Sequence, residues 1–532
     1  TPCGTLFPYT TLFRSLLNRV MRGWLHGLPP ANGLRFDPVI GELKQELVQR
    51  PSLLSDLIKG WLLENPHRLD LTVKPSPGLA DAWSAEETAE VQRLAEAMTA
   101  EERKHLEAAN ESLSAFQSSP DRPEDLAKIP FLTRADAPSS IEKVPFSTES
   151  VLGRPVLVHD LFTEGLVYLD GAVDISGLSA EELVLLPLYT SMLSGSGLPD
   201  MDYDRLAVEL DLRLGRFGVN PEASERVDGS LQMHLGFRIA ALEDRIADAA
   251  DLVSRLFAEA SVDNPVRLRD LLAEARNDLP SAMLPAGHQM AVLQARRGRS
   301  SAAVVDELWR GPNQLLALSA IDTEAELELL GRRLRQIQQK LLARSRLTMS
   351  VTGGGHALTP AMHAAEEFVL RFPGGEAGTA PAGSSGRTGT LGSDAVAAAA
   401  AGAAINRVQA FEITSQVNYV AVNLEATRLG EPEQAHEIIA SALLSTSYLW
   451  EQVRMKGGAY GGFARASGLP ASFDFGSYRD PNLLQTLGSY KAGLDWLDSD
   501  AITDRDVELA VIGAVGRDAR PLVPAEKASA SF

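Results

Sequence analysis

The sequence predicts an α+β fold, in which repeated two-layer domains of mixed β-sheet pack on helices and are joined by a helical hairpin connector. Three observations lead to this prediction. Strand-like alternation followed by helix-like apolar spacing occurs in two separate stretches of the chain. Corresponding elements of these stretches lie roughly 240–255 positions apart, which indicates an internal repeat. A charged helical segment and a proline-rich linker precede both stretches.

Composition and charge limit the possible functions. The chain has 532 residues, 45% of them apolar, which at about 100–200 residues per domain predicts about three folded units. Its net charge of -20 argues against nucleic acid as a partner, because no basic surface would offset phosphate repulsion. The same charge would suit cationic peptides, although a simple need for solubility explains it equally well.

Cysteine content and hydropathy bear on the compartment. The single cysteine, Cys3, excludes an intramolecular disulfide framework and fits a reducing compartment, although a disulfide-free secreted protein would look the same. The longest apolar stretch, residues 396–405, is too short to span a bilayer. No signal-peptide pattern opens the sequence. We therefore expect no membrane and favour a cytoplasmic location, with the compartment left open.

Residues 1–15 differ from the rest of the chain. They begin without Met, contain the only cysteine and follow no convincing period. The string Phe7–Ser15 resembles translated sequencing adapter. We therefore interpret residues 1–15 as non-native sequence and expect native sequence to begin near Leu16.

Residues 16–78 are predicted to be the tail of an incomplete α+β domain. Glu42–Val48 and Leu53–Leu63 have the apolar spacing of amphipathic helices, and His67–Val73 alternates as a strand does. About sixty residues bury too little surface to form a stable core alone. We therefore expect the beginning of this domain to lie upstream of residue 1.

Residues 79–149 are predicted to form a helical hairpin connector and a linker. Two hydroxyl–carboxylate pairs match the capping box of a helix start, namely Ser84 with Glu87 and Thr99 with Glu102. They predict two consecutive helices, at residues 85–98 and 100–117. Residues 118–145 contain five prolines and many charges, which is typical of an extended linker.

Residues 150–345 are predicted to form a complete α+β domain, and residues 346–532 a second, truncated one. The first should contain strands Val156–His159, Leu166–Val173 and Gln232–Ile239 and helices Ala180–Leu193, Tyr203–Leu214 and Leu242–Ala258. The second should contain strands Leu347–Thr352, Gln416–Leu424 and Phe473–Phe475 and helices Glu433–Leu444, Tyr448–Met455 and Leu483–Leu497. Residues 374–402 are rich in Gly and Ala and are interpreted as an insertion.

Local sequence provides no zinc site. Zinc peptidases place two histidines and a glutamate on one helix face, and the nearest approach is His363 with Glu366 and Glu367, where the second histidine is replaced. We interpret this segment as an exposed helix start. No nucleophile elbow or phosphate-binding loop is present either. We therefore expect no metal ligands in this chain.

The segment Trp450–Phe463 is the most informative one in the chain. Four glycines surround Tyr460 at the junction of a predicted helix and strand, and Arg454 precedes it by six residues. Glycine allows another chain to approach closely, a tyrosine held there presents its phenol, and an arginine presents a fork of donors. From the residues alone, a glycine bend with a packing tyrosine is an equally good interpretation.

Arg454 and Tyr460, within Gly-Gly-Ala-Tyr-Gly-Gly, resemble the Arg–Tyr signature in the C-terminal half of the presequence protease branch of the pitrilysin (inverzincin) metallopeptidase family. Further similar segments occur in order along the chain, namely Asn65–Arg68, Phe162–Tyr168, Leu186–Leu188, Gln416–Val420 and Ile512–Gly516 with the downstream Pro521-Leu522. The resemblance extends from about Leu16 to the end, with residues 374–402 poorly matched.

The resemblance implies a pitrilysin-like clamshell whose two halves enclose unfolded peptides, such as cleaved targeting peptides. In such enzymes the N-terminal half holds zinc, and the C-terminal half contributes the Arg–Tyr pair. Carried onto this sequence, Arg454 would anchor peptide carbonyls and Tyr460 would donate to the oxyanion. Gly457 and Gly458 would admit the peptide backbone. This chain would then be the C-terminal portion of a metalloendopeptidase.

The expected partners and cofactors follow from the same resemblance. The full-length protein would carry zinc, whereas this chain alone would carry none and would be inactive until joined to its N-terminal zinc-bearing half. Nucleic acid and membrane are not expected partners. The alternative is a non-catalytic pitrilysin-like scaffold or partner subunit, since some relatives keep the fold and lose the metal. The retention of Arg454 and Tyr460 favours the enzyme.

Overall fold

The computed structural model describes residues 7–35, 37–119, 121–126, 128–373 and 408–532. Within these ranges the chain combines helices with a mixed sheet, which confirms the α+β prediction. Residues 1–6 of the predicted non-native segment and the whole of the predicted insertion, 374–402, lie outside the described residues.

Helices occur along the whole described length of the chain, and strands follow the first six helices. The strands are β1 (Ser147–Val151), β2 (Arg154–Asp160), β3 (Leu166–Asp174), β4 (Arg216–Glu225), β5 (Leu231–Leu242), β6 (Leu347–Gly353), β7 (Ala421–Glu425), β8 (Gly461–Ser467) and β9 (Ser472–Tyr478). The helices are α1 (Phe7–Trp24), α2 (Asp37–Gln49), α3 (Leu53–Ile58), α4 (Leu79–Ala97), α5 (Ala100–Ser118), α6 (Pro123–Leu126), α7 (Ala180–Leu183), α8 (Leu186–Gly195), α9 (Tyr203–Arg213), α10 (Ile246–Glu259), α11 (Pro265–Arg296), α12 (Ser301–Arg310), α13 (Pro312–Ser319), α14 (Glu324–Leu341), α15 (Leu358–Arg371), α16 (Glu433–Leu443), α17 (Leu484–Leu497), α18 (Asp504–Asp518) and α19 (Pro524–Ser531). Short π-helical turns occur at Lys59–Leu63, Leu444–Tyr448 and Trp450–Met455, and 3-10 turns at Pro30–Gly33, Arg134–Asp136, Arg344–Arg346 and Gly355–Ala357.

The chain divides into two compact units, Thr1–Leu132 and Thr133–Phe532. In the described part of the first unit the elements are helices α1 to α6 and short turns. The strand predicted at His67–Val73 is wrong, because this segment has no ladder partner there and stays irregular. Leu53 is the only apolar side chain that is buried among those described between residues 16 and 132.

The two predicted connector helices are confirmed as α4 and α5, and one of their two capping boxes is confirmed. Thr99 caps α5: its hydroxyl accepts from the Glu102 amide, and the Glu102 carboxylate accepts from the Thr99 amide. The capping box at Ser84 is wrong. Helix α4 begins at Leu79, so Ser84 lies inside it, and its carbonyl accepts from the Thr88 hydroxyl.

The second unit is built on a six-stranded sheet with the order β1-β2-β6-β3-β5-β4. Strand β2 is parallel to β6, and the other neighbours are antiparallel. Alternate residues along the strands face helices α10 and α15, and on β5 these are Met233, Leu235, Phe237 and Ile239. Phe237 lies 5.1 Å, between ring centroids, from both Phe257 of α10 and Phe368 of α15, so aromatic packing fixes this layer.

One strand prediction needs correction. We expected Leu347–Thr352 to open the second repeat, beyond a domain boundary at residues 345 and 346. The structure places this strand, β6, between β2 and β3 in the centre of the larger sheet. Every second residue of β6 (Leu347, Met349 and Val351) is buried in the core beside that sheet. The strands that flank β6 come from distant parts of the chain, so only the tertiary fold brings them together.

The predicted internal repeat is confirmed from the second strand onward. Strands β7, β8 and β9 form a three-stranded antiparallel sheet with the order β7-β9-β8, which reproduces the order β3-β5-β4 of the larger sheet. Strands β3, β4 and β5 begin at residues 166, 216 and 231, and β7, β8 and β9 at 421, 461 and 472, which are offsets of 255, 245 and 241. Strands β4 and β8 were not predicted, because only the glycine-bearing turns before them were recognised.

Helix α11 links the two sheets of the second unit. It contains Pro280 and Pro285 and packs against β7 and β9 as well as against α8. The Tyr419 hydroxyl donates to the carbonyl of Leu284. A side chain at Gly287 would begin 2.5 Å from the Tyr419 ring, so the glycine permits this close approach.

Candidate functional site

The first side of the candidate site is the irregular end of the helix that contains Arg454. Helix α16 continues into the two π-helical turns Leu444–Tyr448 and Trp450–Met455, a widened form that often occurs at functional sites. Val453 is buried and anchors this segment in the core of the smaller sheet. Arg454 is exposed, and its guanidinium carbon lies 3.9 Å from the centroid of the Trp450 ring, within cation–π range.

The turn after this helix depends on two glycines. A side chain at Gly457 would begin 2.5 Å from the Val453 carbonyl oxygen, closer than any real contact. Gly458 has φ of +78°, in the left-handed region that favours glycine. The Gly458 amide donates to the Arg454 carbonyl at 2.9 Å, and the Ala459 amide donates to the Val453 carbonyl at 3.1 Å. The chain therefore leaves the helix in one fixed direction.

Tyr460 follows this turn and immediately precedes β8. Its amide donates to the Tyr478 carbonyl at 3.0 Å, which fixes its backbone against the end of β9. The residue is 67% exposed. The structure therefore places Arg454 at the end of the helix and Gly457, Gly458 and Tyr460 in the turn that follows it. The side chains of Arg454 and Tyr460 have different aromatic neighbours, Trp450 and Tyr478.

A second segment, Tyr478–Asn482, was missed by the sequence analysis and completes the site. The side chain of Asn482 donates to the Gly457 carbonyl at 2.6 Å. The Asp480 carboxylate is fully buried and accepts from the Asn482 amide at 2.9 Å and from the Thr486 hydroxyl at 2.7 Å. These bonds hold the two segments together, and the Asp-Pro-Asn sequence was the available signal, since it favours a turn.

Arg479 is the most unusual residue of the second segment. It has φ of +48°, a left-handed conformation that non-glycine residues rarely adopt. Its guanidinium carbon lies 5.6 Å from the centroid of the Tyr460 ring and 5.4 Å from that of the Tyr478 ring. The two rings are perpendicular, with centroids 6.2 Å apart. Arg479 is half-buried, and its guanidinium lies beside both tyrosine rings.

Two further rings lie beside Tyr478 and, with Tyr460, form an aromatic cluster. The Tyr419 ring lies 6.1 Å from Tyr478, and His288 of α11 lies 4.8 Å from Tyr478. Burial raises the pKa of Tyr419, although the Arg479 guanidinium acts in the opposite direction. Burial lowers the pKa of His288, so its imidazole is neutral at pH 7. Arg479 is therefore the charged group of this aromatic cluster.

The described part of the chain offers no metal site. In those ranges no group of three or more His, Cys, Asp or Glu side chains is placed to hold a metal ion. His363 and Glu367 are exposed neighbours on one face of α15, with the ring nitrogen 3.6 Å from the carboxylate. This contact is the ordinary pairing of residues four apart on a helix. The described residues therefore do not fit a zinc site.

Comparison with known proteins identifies the family. The model of the associated domain of peptidase M16, subfamily C, matches residues 73–321, and the model described as PreP C-terminal domain matches residues 408–532. The two matches follow one another in order, and the second includes both segments of the site. The chain belongs to the presequence protease branch of the pitrilysin family. It corresponds to the C-terminal half of presequence proteases, as the resemblance implied.

Presequence proteases align along nearly the whole chain. The "Presequence protease, mitochondrial" of Danio rerio is 24% identical over 98% of this chain and 52% of its own length. The "Presequence protease 1, chloroplastic/mitochondrial" of Arabidopsis thaliana is 28% identical over 94% of this chain and 45% of its own length. The chain therefore spans about half the length of the curated relatives that it matches.

Solved structures are also similar to part of this chain. The crystal structure titled "peptidase M16 inactive domain from Pseudomonas fluorescens" aligns with 73% of this chain and 94% of its own length. The sequence identity is 14% and the TM-score is 0.44, which is a weak likeness.

Within the described ranges, no helix has the length and apolar character needed to cross a membrane. The names of the two presequence proteases place those proteins in mitochondria or chloroplasts, so the cytoplasmic location that we favoured gains no support.

Proposed function

We propose that this chain is the substrate-facing portion of a zinc-dependent oligopeptidase that degrades unfolded peptides, such as cleaved targeting peptides, in an enclosed chamber. It would supply Arg454 and Tyr460 and would depend on an N-terminal half for the metal. The observation that carries the proposal is the exposed Tyr460 phenol on a rigid glycine turn, in a chain of the presequence protease family.

The geometry of the turn supports a role for Tyr460 as a hydrogen-bond donor. Its backbone is held by the Tyr478 carbonyl and its ring by perpendicular contact with Tyr478, while the phenol remains in solvent. A donor that is already fixed in place loses little entropy when it binds an oxyanion. Tyr460 would therefore stabilise the negative oxygen that forms when a peptide carbonyl is attacked.

Arg454 would hold the peptide backbone beside Tyr460. Its guanidinium lies over the Trp450 ring, an arrangement that limits the motion of the side chain, and the residue is exposed to solvent. Gly457 and Gly458 keep the surface between the two side chains low, because neither carries a Cβ. A peptide chain can therefore approach this turn closely.

Zinc is part of the proposal only because the chain belongs to a metallopeptidase family. Zinc would supply an activated water in the full-length protein. The described residues form no group that could hold it, so its ligands would come from the N-terminal half. The N-terminal half, the peptide substrates and the enclosed chamber are likewise proposals.

The proposal is tested in a full-length enzyme that contains this chain. Tyr460→Phe should lower kcat by about a hundredfold or more, because it removes one oxyanion donor, while bound zinc stays at the level of the unmodified enzyme. Turnover of an unfolded peptide and zinc content are measured on the same preparations.

Tyr203→Phe is the matched control. Tyr203 on α9 is also exposed and also carries an arginine, Arg267, 3.9 Å above its ring, but it lies outside the site. This control should keep full turnover. Unchanged turnover in Tyr460→Phe would remove Tyr460 from the mechanism. The absence of any turnover in the unmodified enzyme would favour the alternative, a non-catalytic scaffold or partner subunit.

A further inference from the structure

We infer that Arg479 is a carboxylate-binding residue of the peptide site, which recognises a carboxylate of the bound peptide next to Tyr460. This inference rests on the proposed function and deepens it by naming one chemical group of the ligand. Three observations support it: the left-handed backbone of Arg479, the lack of an ion-pair partner among the described residues, and the two tyrosine rings beside the guanidinium.

The backbone of Arg479 is held in an unfavourable conformation. Only four of the described non-glycine residues have positive φ, and Arg479, at +48°, is the one that lies in the candidate site. Such strain persists only where the surroundings enforce it, and it is often found at binding sites. Here the neighbouring backbone supplies the constraint, because the amide and carbonyl of Asp480 pair with those of Asn418. The strain directs the Arg479 side chain between the two tyrosines.

The guanidinium of Arg479 carries a positive charge and has no carboxylate partner among the described residues. Among the described residues, no Asp or Glu forms an ion pair with Arg479, although many arginines of the second unit have one. The adjacent Asp480 does not serve, since its two oxygens accept from the Asn482 amide and the Thr486 hydroxyl. In a chain with net charge -20, a half-buried arginine that faces aromatic rings is therefore available to an external anion.

The surroundings select a carboxylate that belongs to a peptide. Tyr460 and Tyr478 flank the guanidinium with apolar ring faces, which suit a peptide chain better than a free inorganic ion. A guanidinium binds a carboxylate with two parallel hydrogen bonds. The carboxylate could be the C-terminus of the peptide or an Asp or Glu side chain. The chemistry is the same in both cases, and the test separates them.

The test uses this chain and three rhodamine-labelled peptides of one neutral sequence. The first ends in a free carboxylate, the second ends in an amide, and the third ends in an amide and has a central Gln replaced by Glu. Fluorescence anisotropy measures Kd for each. The unmodified chain should bind one or both carboxylate peptides about five- to tenfold more tightly than the neutral one. Preference for the first peptide assigns the C-terminus, and preference for the third assigns a side chain.

Substitutions then assign the preference to Arg479. Arg479→Gln should bind all three peptides equally, and Arg479→Lys should keep part of the preference because it retains the charge. Arg465→Gln is the matched control: Arg465 is an exposed arginine on β8 of the same sheet, and its loss should leave the preference intact. Circular dichroism checks that each variant is folded, and Arg479→Lys keeps the test decisive if Arg479→Gln does not fold.

The outcomes separate this inference from the proposed function. Equal Kd values of the unmodified chain for all three peptides would overturn the inference while leaving peptide binding in place. A carboxylate preference that persists in Arg479→Gln would also overturn it, because another cation would then be responsible. If the unmodified chain binds none of the peptides up to millimolar concentration, both the inference and a substrate-binding role for this chain fail.

Discussion

At the scale of single residues, the turn of the site depends on close contact between the backbone at Gly457 and the Val453 carbonyl. The Val453 carbonyl accepts from the Ala459 amide and occupies the space where a side chain at Gly457 would begin. The Arg–Tyr motif in the sequence predicted Arg454 and Tyr460, because both lie in one continuous segment. Arg479 could not be predicted in the same way, since the Tyr460 ring lies 19 positions away in the sequence and is brought beside Arg479 only when the turn pairs with the end of β9.

Gly457→Ala should destabilise the second unit by about 1–3 kcal/mol, because the added methyl group would collide with the Val453 carbonyl and force the backbone to move. Urea unfolding followed by circular dichroism measures this change. Gly461→Ala is the control, since nothing lies within 4 Å of a side chain placed there, and its effect should stay within about 0.5 kcal/mol. Equal stability of the two variants would show that the turn tolerates a wider path.

At the scale of elements, short helices of the second unit are held by polar contacts at their ends. Helix α7 has only one turn, and a capping box formed by Ser179 and Glu182 closes its start. Lys340, near the end of α14, reaches the Glu182 carboxylate at 2.5 Å. The capping pattern of α7 is visible in the sequence, but the partner from α14 is 158 positions away and is a product of the fold.

The ionisation of Glu182 predicts how the stability of the chain changes in acid. Burial raises the pKa of Glu182, but the hydrogen bonds from Lys340 and Ser179 outweigh burial and hold the pKa below its ordinary value. A carboxyl group with a lowered pKa in the folded state stabilises the protein above its unfolded pKa of about 4.3, and this contribution is lost as the pH falls through the folded pKa.

Glu182→Gln should therefore be less stable than the unmodified chain at pH 7, and the difference should shrink as the pH falls below about 4.3. Free energies of unfolding in urea at pH 7, 5, 4 and 3 measure this difference. Glu328→Gln serves as the control, because Glu328 forms an exposed ion pair on α14 with a separation of 3.7 Å and should have little effect at any pH. A difference between Glu182→Gln and the unmodified chain that does not vary with pH would contradict the role of the charge.

At the scale of the whole molecule, the two units differ in how much apolar surface they bury. The second unit has a continuous core around the larger sheet and a smaller one behind β7, β8 and β9. In the described part of the first unit, large apolar side chains such as Trp61, Leu69 and Phe116 are mostly exposed. Because burial of apolar surface is the main source of stability, the units should open with different free energies.

Hydrogen exchange followed by mass spectrometry tests this difference. Amides of α4 and α5 should exchange orders of magnitude faster than those of β3, β5 and β6, because local opening of a helix without buried contacts costs little. Helix α10, which is buried against the larger sheet, is the internal control for helical amides and should exchange slowly. Equal protection of α5 and α10 would mean that the first unit is stabilised by contacts other than burial.

The sequence by itself determined the α+β class, the internal repeat, the helical connector and the turn that contains Arg454 and Tyr460. Each of these depends on residues close together in the chain, through periodicity, capping or glycine spacing. Only the tertiary structure decided the position of β6 in the larger sheet and the pairing of the turn with Tyr478–Asn482. Both depend on contacts between distant segments, which local pattern does not encode because strand pairing and packing are set by the whole fold.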